Sequence, residues 1–194
     1  VTTLHDRGAV LPTREGGAAA VDDDLAVVRV GPEDWERHRD LRLAMLRDAP
    51  EAFWADPAEV ARRSEEEWRA ELAGPRLHLQ ARRAQEVLGG IGVLPEGYVP
   101  QEPIPEDHAH VVSMWVTPAA RGGGLSALLM RAAAALALEI GRPHLTLDVD
   151  SANARAQRSY VRLGFVPTGR TDPREGHVTS WVEYRADARD LLAR

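Results

Sequence analysis

Between His110 and Phe165 a strand, a glycine turn, a long apolar helix, a second strand and a further helix follow in unbroken order, and that order leaves few ways to fold. The stretch from Val111 to Val116 is β-rich and stops at Thr117-Pro118, where proline has no N–H to continue a ladder. Arg121-Gly122-Gly123-Gly124 comes next. Leu125, Leu128, Leu129, Ala132, Leu136 and Ile140 then recur at three- and four-residue steps, the pattern of one buried helical face. A helix therefore opens almost on the glycines. Its first N–H groups lack partners within the helix, and residues without Cβ let a ligand come close, so the turn suits an anion. Arg121 adds a fixed charge with a forked donor set.

Two familiar glycine loops fit this turn poorly. A nucleotide P-loop requires lysine followed by Ser or Thr after its last glycine, whereas Gly124 is followed by Leu125 and Ser126. A dinucleotide fingerprint requires a third glycine where Ala127 stands. A plain flexible turn is the bland alternative. The segment from His144 to Asp150 alternates Leu145, Leu147 and Val149 with polar residues, as a strand with one buried face does. Asn153, Ala156 and Tyr160 then share one face of a helix that Gly164 ends. Asn153 is the sole asparagine of the chain, and as a helix cap it needs no ligand.

With both halves in place, the chain resembles the GNAT superfamily of acyl-CoA-dependent N-acyltransferases. In that family R/Q-x-x-G-x-G/A opens the helix that cradles the CoA pyrophosphate, and N-x-x-A-x-x-x-Y-x-x-x-G-F follows the next strand. Arg121 to Ser126 fits the first pattern except that Ser126 replaces Gly or Ala; Asn153, Ala156, Tyr160, Gly164 and Phe165 fit the second throughout. The similarity is firm over residues 110–170 and looser from Leu25 onward. Leu25 to Val30 reads as a strand, Pro32 to Arg47 as a helix and Glu59 to Ala73 as a second helix. Arg76 to Arg82 and Glu86 to Leu94 read as two more strands. The resemblance implies a single domain over residues 25–194, an α/β fold whose strongly twisted mixed sheet carries helices on both faces. Residues 1–24 have no periodicity and read as an N-terminal arm outside the core.

The resemblance further implies an acetyltransferase moving an acetyl group from acetyl-CoA, as co-substrate, to a primary amine of a small molecule or a peptide N-terminus by direct attack. Met114, Trp115 and Val116 would offer backbone groups to the pantetheine arm and acyl carbonyl. Arg121, Gly122, Gly123, Gly124, Leu125 and Ser126 would hold the pyrophosphate, with Asn153 and Tyr160 beside the cofactor. Tyr160 would also be the acid for the leaving thiolate, against its plain role as a core aromatic. The base is open among Glu106, Asp107, His108 and His110 around the central strand and Asp148 and Asp150 on the next. Glu106 is the residue assigned, with relay through water an equal route. His108 and His110 share a strand face, but without a third ligand they point to no metal. Phe53, Trp54 and Tyr98 lie in the two long loops and either wall an acceptor pocket or simply pack. A catalytically silent acyl-CoA sensor or scaffold of the same fold is the alternative function.

Composition narrows the classes further. All 24 basic residues are arginine, so no lysine side chain is available for self-acetylation, and a net charge of −6 argues against nonspecific nucleic-acid binding. Absence of cysteine fits a reducing compartment and excludes an acyl-cysteine intermediate. A length of 194 residues suits one domain, with no apolar run long enough for a bilayer and no signal-like start. A cytoplasmic protein, as monomer or homodimer, is the expectation.

Overall fold

The structure is a computed structural model that describes residues 24–53, 55–97 and 103–194. Among the described residues, seven strands form one mixed sheet in the order β1-β2-β3-β4-β5-β7-β6. They are β1 (Leu25–Val30), β2 (Leu77–Arg83), β3 (Glu86–Leu94), β4 (His108–Val116), β5 (His144–Asp150), β6 (Val166–Pro173) and β7 (Ser180–Asp187). Every neighbouring pair is antiparallel except β4 and β5, which run parallel. Among the described residues, three short 3₁₀ turns and six α-helices complete the order, the latter being α1 (Trp35–Asp48), α2 (Pro57–Ala61), α3 (Glu65–Ala73), α4 (Leu125–Glu139), α5 (Ala154–Leu163) and α6 (Ala188–Leu192). Among the described residues no helix is long and apolar enough to cross a membrane.

Strand alternation divides the side chains between two faces. Leu79, Ala81, Ile91, Val93, Ala109, Val111, Leu145, Leu147 and Val149 point to the α4 face, where they build the main core with Leu125, Leu129, Met130 and Leu136 of α4. The helix is buried on more than the single stripe its leucines outline, because Ala133, Ala134 and Ala137 are also fully covered and α6 packs beside it. Small side chains let both neighbours approach. On the opposite face α1 lies against β3, and Leu46, Val60 and the fully buried Trp68 form a smaller core with Trp35, Leu43, Phe53 and Ala55. Complete burial of a side chain such as Leu129 or Leu46 contributes about 2 kcal/mol each.

The second helix expected over Glu59 to Ala73 is two helices. A break at Arg62 and Arg63 precedes Ser64, which caps α3 by accepting from the Glu67 N–H while the Glu67 carboxylate accepts from the Ser64 N–H at 2.7 Å. This reciprocal pair satisfies donors that an uninterrupted helix would already have used, so it favours a fresh start.

Three glycines of β3 bring elements unusually close. A Cβ on Gly89 would lie 2.6 Å from the Trp115 carbonyl oxygen, one on Gly90 2.7 Å from a Leu41 methyl, and one on Gly92 2.8 Å from a Val112 methyl. Opposite them, β4 carries a bulge. Gly90 pairs with Trp115 and Gly92 with Val112, so Ser113 and Met114 stand against Ile91 alone. Ser113 takes φ of +54°, a left-handed conformation rarely adopted by a residue with a side chain.

Candidate functional site

The bulge lies where β4 leaves β5. The two parallel strands pair only over His108–His110 and His144–Thr146. Past that point β4 keeps its ladder with β3 and β5 its ladder with β7, so their facing edges diverge with backbone groups unshared between them. Such an edge offers hydrogen bonds to whatever enters the gap. The sequence-predicted residues Met114, Trp115 and Val116 lie on this edge. Met114 is half-buried against the main core, and Val116 is buried within it. The Trp115 indole donates to Asp48 at 2.8 Å. Their side chains are committed to the fold, and only backbone remains for a ligand.

The glycine turn flanks the open end of this gap. Gly122 and Gly124 have φ of +87° and +82°, and no heavy atom lies within 4 Å of where their Cβ atoms would be. Gly123 has no such φ requirement. Gly124 caps α4 with no side-chain hydrogen bond, and no acidic residue occupies the first turn. Among the described residues, the N–H groups from Gly122 to Ser126 donate to no backbone carbonyl. Leu125 plugs into the core and anchors the turn, while Ser126 is half-buried one residue on. The result is an exposed, uncompensated positive end of a helix dipole. Arg121 is tied in place: its guanidinium donates to Asp48 and, through Nε at 3.0 Å, to the Val116 carbonyl. The hydrogen bond from Trp115, and then that from Arg121, lowers the Asp48 pKa and keeps this carboxylate ionised.

Beside the gap, α5 begins at Asn153, whose Oδ1 accepts from the Ala156 N–H at 3.0 Å. Ala156, Tyr160 and Leu163 turn toward the main core, and the Tyr160 ring meets Phe165 edge-on at 5.8 Å between centroids. Burial pushes the Tyr160 pKa up to about 12, so the phenol keeps its proton throughout the physiological range. Among the described residues its hydroxyl has no hydrogen-bond partner.

The α1 face at the same opening is acidic. His110 is buried with Nδ1 2.9 Å from Thr146 Oγ1 and Nε2 3.5 Å from Asp148 Oδ2. Burial and, next, the Glu183 carboxylate opposite on β7 raise the Asp148 pKa to about 6. Burial similarly lowers the His110 pKa to about 4, which leaves the imidazole neutral. At the end of β5, Asp150 accepts from Arg174, from Thr179 at 3.0 Å and from the Ala152 N–H at 2.8 Å. Arg174 also reaches the Glu51 carbonyl at 2.6 Å and stacks over Trp181, so it clasps the β6–β7 turn to the segment after α1.

Not all sequence-predicted residues meet here. Glu106 is exposed just before β4, at the closed end where the strands still pair, and Arg142 donates to its backbone carbonyl. Eight residues separate it from Met114, roughly 25 Å of extended chain. His108 pairs with Asp107 at 2.7 Å and lies against His144 with centroids 5.0 Å apart, at that same end, so it shares no site with His110. Phe53 packs on the smaller core under the Arg42 guanidinium, and Arg42 in turn donates to Ser113 at the bulge. Trp54 and Tyr98 lie outside the described residues. Asp48, Glu183 and Arg174 entered the site without a sequence signal: each is an ordinary charge in an unremarkable segment, and only the fold, through the end of α1 and the order of the strands, brings them to the gap.

The sequence profile of the Acetyltransferase (GNAT) family matches residues 40–165. Streptothricin acetyltransferase of Streptomyces lavendulae is 46% identical over 54 residues, which is 28% of this chain and 29% of that protein's length. A GCN5-related N-acetyltransferase from Kribbella flavida has the same fold, with a TM-score of 0.65 at 22% identity over 86% of this chain and 99% of that one. So does spermidine N-acetyltransferase from Vibrio cholerae, solved with CoA and spermine, at 0.66 and 16% identity over 88% and 99% of the two chains. The yncA protein of Salmonella typhimurium, solved with its cofactor acetyl-CoA, gives 0.62 and 17% over 84% and 94%. At these identities the structural likeness is one of fold.

Proposed function

The chain belongs to the acetyltransferase (GNAT) family, and on that premise we propose that it moves an acetyl group from acetyl-CoA to a primary amine of a small molecule or a peptide N-terminus in one direct step. The observation that carries this reading is the gap between β4 and β5, opened by the Ser113 bulge and flanked by the uncapped start of α4. The residues fit the co-substrate. Open space above Gly122 and Gly124 leaves the α4 N-terminus free for a pyrophosphate, and the free edge of β4 over Met114, Trp115 and Val116 matches an amide-bearing arm. Acetyl-CoA supplies an activated acyl carbon.

The chain supplies position and proton control. N–H groups on the β4 edge stabilise charge developing on an oxygen in the gap, where one such donor is typically worth 10²–10³ in rate. Tyr160 holds a proton at its hydroxyl and presents it to a departing thiolate. For the base, Asp148 suits the task better than Glu106. It stands just past the last β4–β5 pair, and its pKa of about 6 leaves it mostly ionised at neutral pH yet able to take a proton. The acidic α1 face, with Asp148 and Glu183 side by side, favours a cationic acceptor, in keeping with the spermidine named for one protein of the same fold.

Calorimetric titration with acetyl-CoA, with NADH and ATP as controls, followed by thiol release against a panel of amines, tests the proposal. Binding of acetyl-CoA alone and amine-dependent thiol release are expected. Binding without release from any amine would favour the silent acyl-CoA scaffold; no binding would sink both.

A further inference from the structure

On the α1 face, separate from the acidic groups around Asp148, His38 of α1, Glu71 of α3 and His78 of β2 converge on one small cavity of about 20 Å³, also lined by Arg42, Met45 and Ser113. Glu71 Oε1 is 3.7 Å from His38 Nε2 and 3.9 Å from His78 Nε2, and the three ligand-type atoms all lie within 4.8 Å of one another. Those separations are too long for hydrogen bonds. Nε2 of His38 and Nε2 of His78 are consequently buried with no hydrogen-bond partner, on side chains only 8% and 6% exposed. Buried polar atoms are rarely left so, and two facing one carboxylate point to a missing partner.

We propose that His38 Nε2, Glu71 Oε1 and His78 Nε2 bind a divalent transition-metal ion of the zinc class, with water in a fourth position. Two imidazoles and one carboxylate are a common donor set for that ion. Metal–ligand bonds near 2.0–2.1 Å place tetrahedral donor atoms about 3.3 Å apart, so Glu71 Oε1 need close on each imidazole by only about half an ångström, and no donor pair is further apart than 4.8 Å. The cavity has the volume of about one water molecule. Arg63 donates to the second Glu71 oxygen at 2.5 Å, which aims Oε1 at the two imidazoles as a supporting partner aims a ligand. Arg42, which lines the cavity, turns its Nη1 to Ser113 Oγ at 3.1 Å.

The ion is a clip rather than a catalyst. Its ligands come from two helices and a strand, and one turn after His38 the same helix reaches the Ser113 bulge through Arg42. Metal binding thus fastens α1 and α3 to the sheet behind the acyl-transfer gap. Full-length protein purified without chelators should contain about one equivalent of zinc by elemental analysis, and stripping should lower Tm, with zinc restoring it. Cobalt(II) should give the visible bands of a four-coordinate nitrogen and oxygen site. His78→Gln, checked for native circular dichroism, should lose the stoichiometric ion and the zinc-dependent Tm rise. Wild-type protein that neither retains zinc nor gains Tm from it overturns the proposal, and so does equal binding by His78→Gln, which would assign the ion to surface histidines such as His108 and His144. The wild-type measurements stand even if the variant fails to fold.

Discussion

Asp148→Asn should make the protein more stable and less active at once. The wild-type carboxyl titrates near 6 in the fold against an ordinary value of 3.8, a rise of about two units or about 3 kcal/mol if fully expressed. Because the side chain is 33% exposed, solvent screening reduces the expected cost to about 1–1.5 kcal/mol. The folded state binds the proton more tightly than the unfolded chain, so wild-type stability falls as pH rises from about 4 to about 6 and stays penalised above. Asparagine removes that penalty. Scanning calorimetry should therefore find Tm of the variant about 2–5 °C higher at pH 7.5 and no higher at pH 4. Thiol release should fall by about 10²–10⁴, the range for loss of a positioned base. In wild type, kcat/KM should drop about tenfold from its plateau to pH 5. Glu183→Gln removes the like charge and should move that limb toward acid, by less than two units because burial, the larger cause, remains; Asp172 stays in place, and Arg170, which loses its ion pair with Glu183 at 3.5 Å, still acts on the group. A variant less stable than wild type at pH 7.5, or a limb unmoved by Glu183→Gln, would refute the assignment of Asp148.

Tyr160→Phe should leave acetyl-CoA affinity within about twofold and cut turnover at least several-fold; unchanged turnover in the thiol assay removes its acid role. Gly124→Val forces a branched side chain to φ of +82°, about 1–2 kcal/mol of backbone strain, and should weaken acetyl-CoA binding at least tenfold by calorimetry; native affinity would deny that the α4 start holds the pyrophosphate. Gly89→Ala places a Cβ 2.6 Å from the Trp115 carbonyl oxygen and should cost about 1–3 kcal/mol in urea unfolding, whereas an unchanged midpoint would show that β3 and β4 separate freely.

The sequence made the local order legible because each element announced itself: alternation in β5, a three-and-four stripe in α4, glycine at both ends of that half. It was less explicit where two signals competed. From Glu59 to Ala73 the apolar spacing reads through Arg62 and Arg63, and only the Ser64–Glu67 capping pair marks the interruption. Arg121 was legible as a charge beside the glycines, but its engagement with Asp48 depends on α1 ending next to β4, a distance of 73 residues along the chain. Glu106 illustrates the limit most plainly. Carboxylates near the central strand were visible, yet which end of the strand opens was not, since the opening arises from Ser113, a residue with no sequence mark of a left-handed backbone. His38, Glu71 and His78 are likewise scattered over three elements and meet only in the fold.

With β4 and β5 joined by three residue pairs, the sheet parts at one end into two leaves, and α4 with its core spans both of them on one face. One leaf is β1 to β4, stiffened by α1; the other is β5, β7 and β6. The join between the leaves is extended where the Asp107 carbonyl takes the His144 N–H at 3.1 Å and where the Asp107 carboxylate links His108 and His144. Because α4 packs on strands of both leaves, the slot between them is a fixed aperture and not a jaw. Substitutions around Asp107 should register as differences in cohesion of the whole protein, while those at the Arg174 clasp, which ties the β6–β7 turn to the segment after α1, loosen one wall of the slot and so change the girth of molecule it admits.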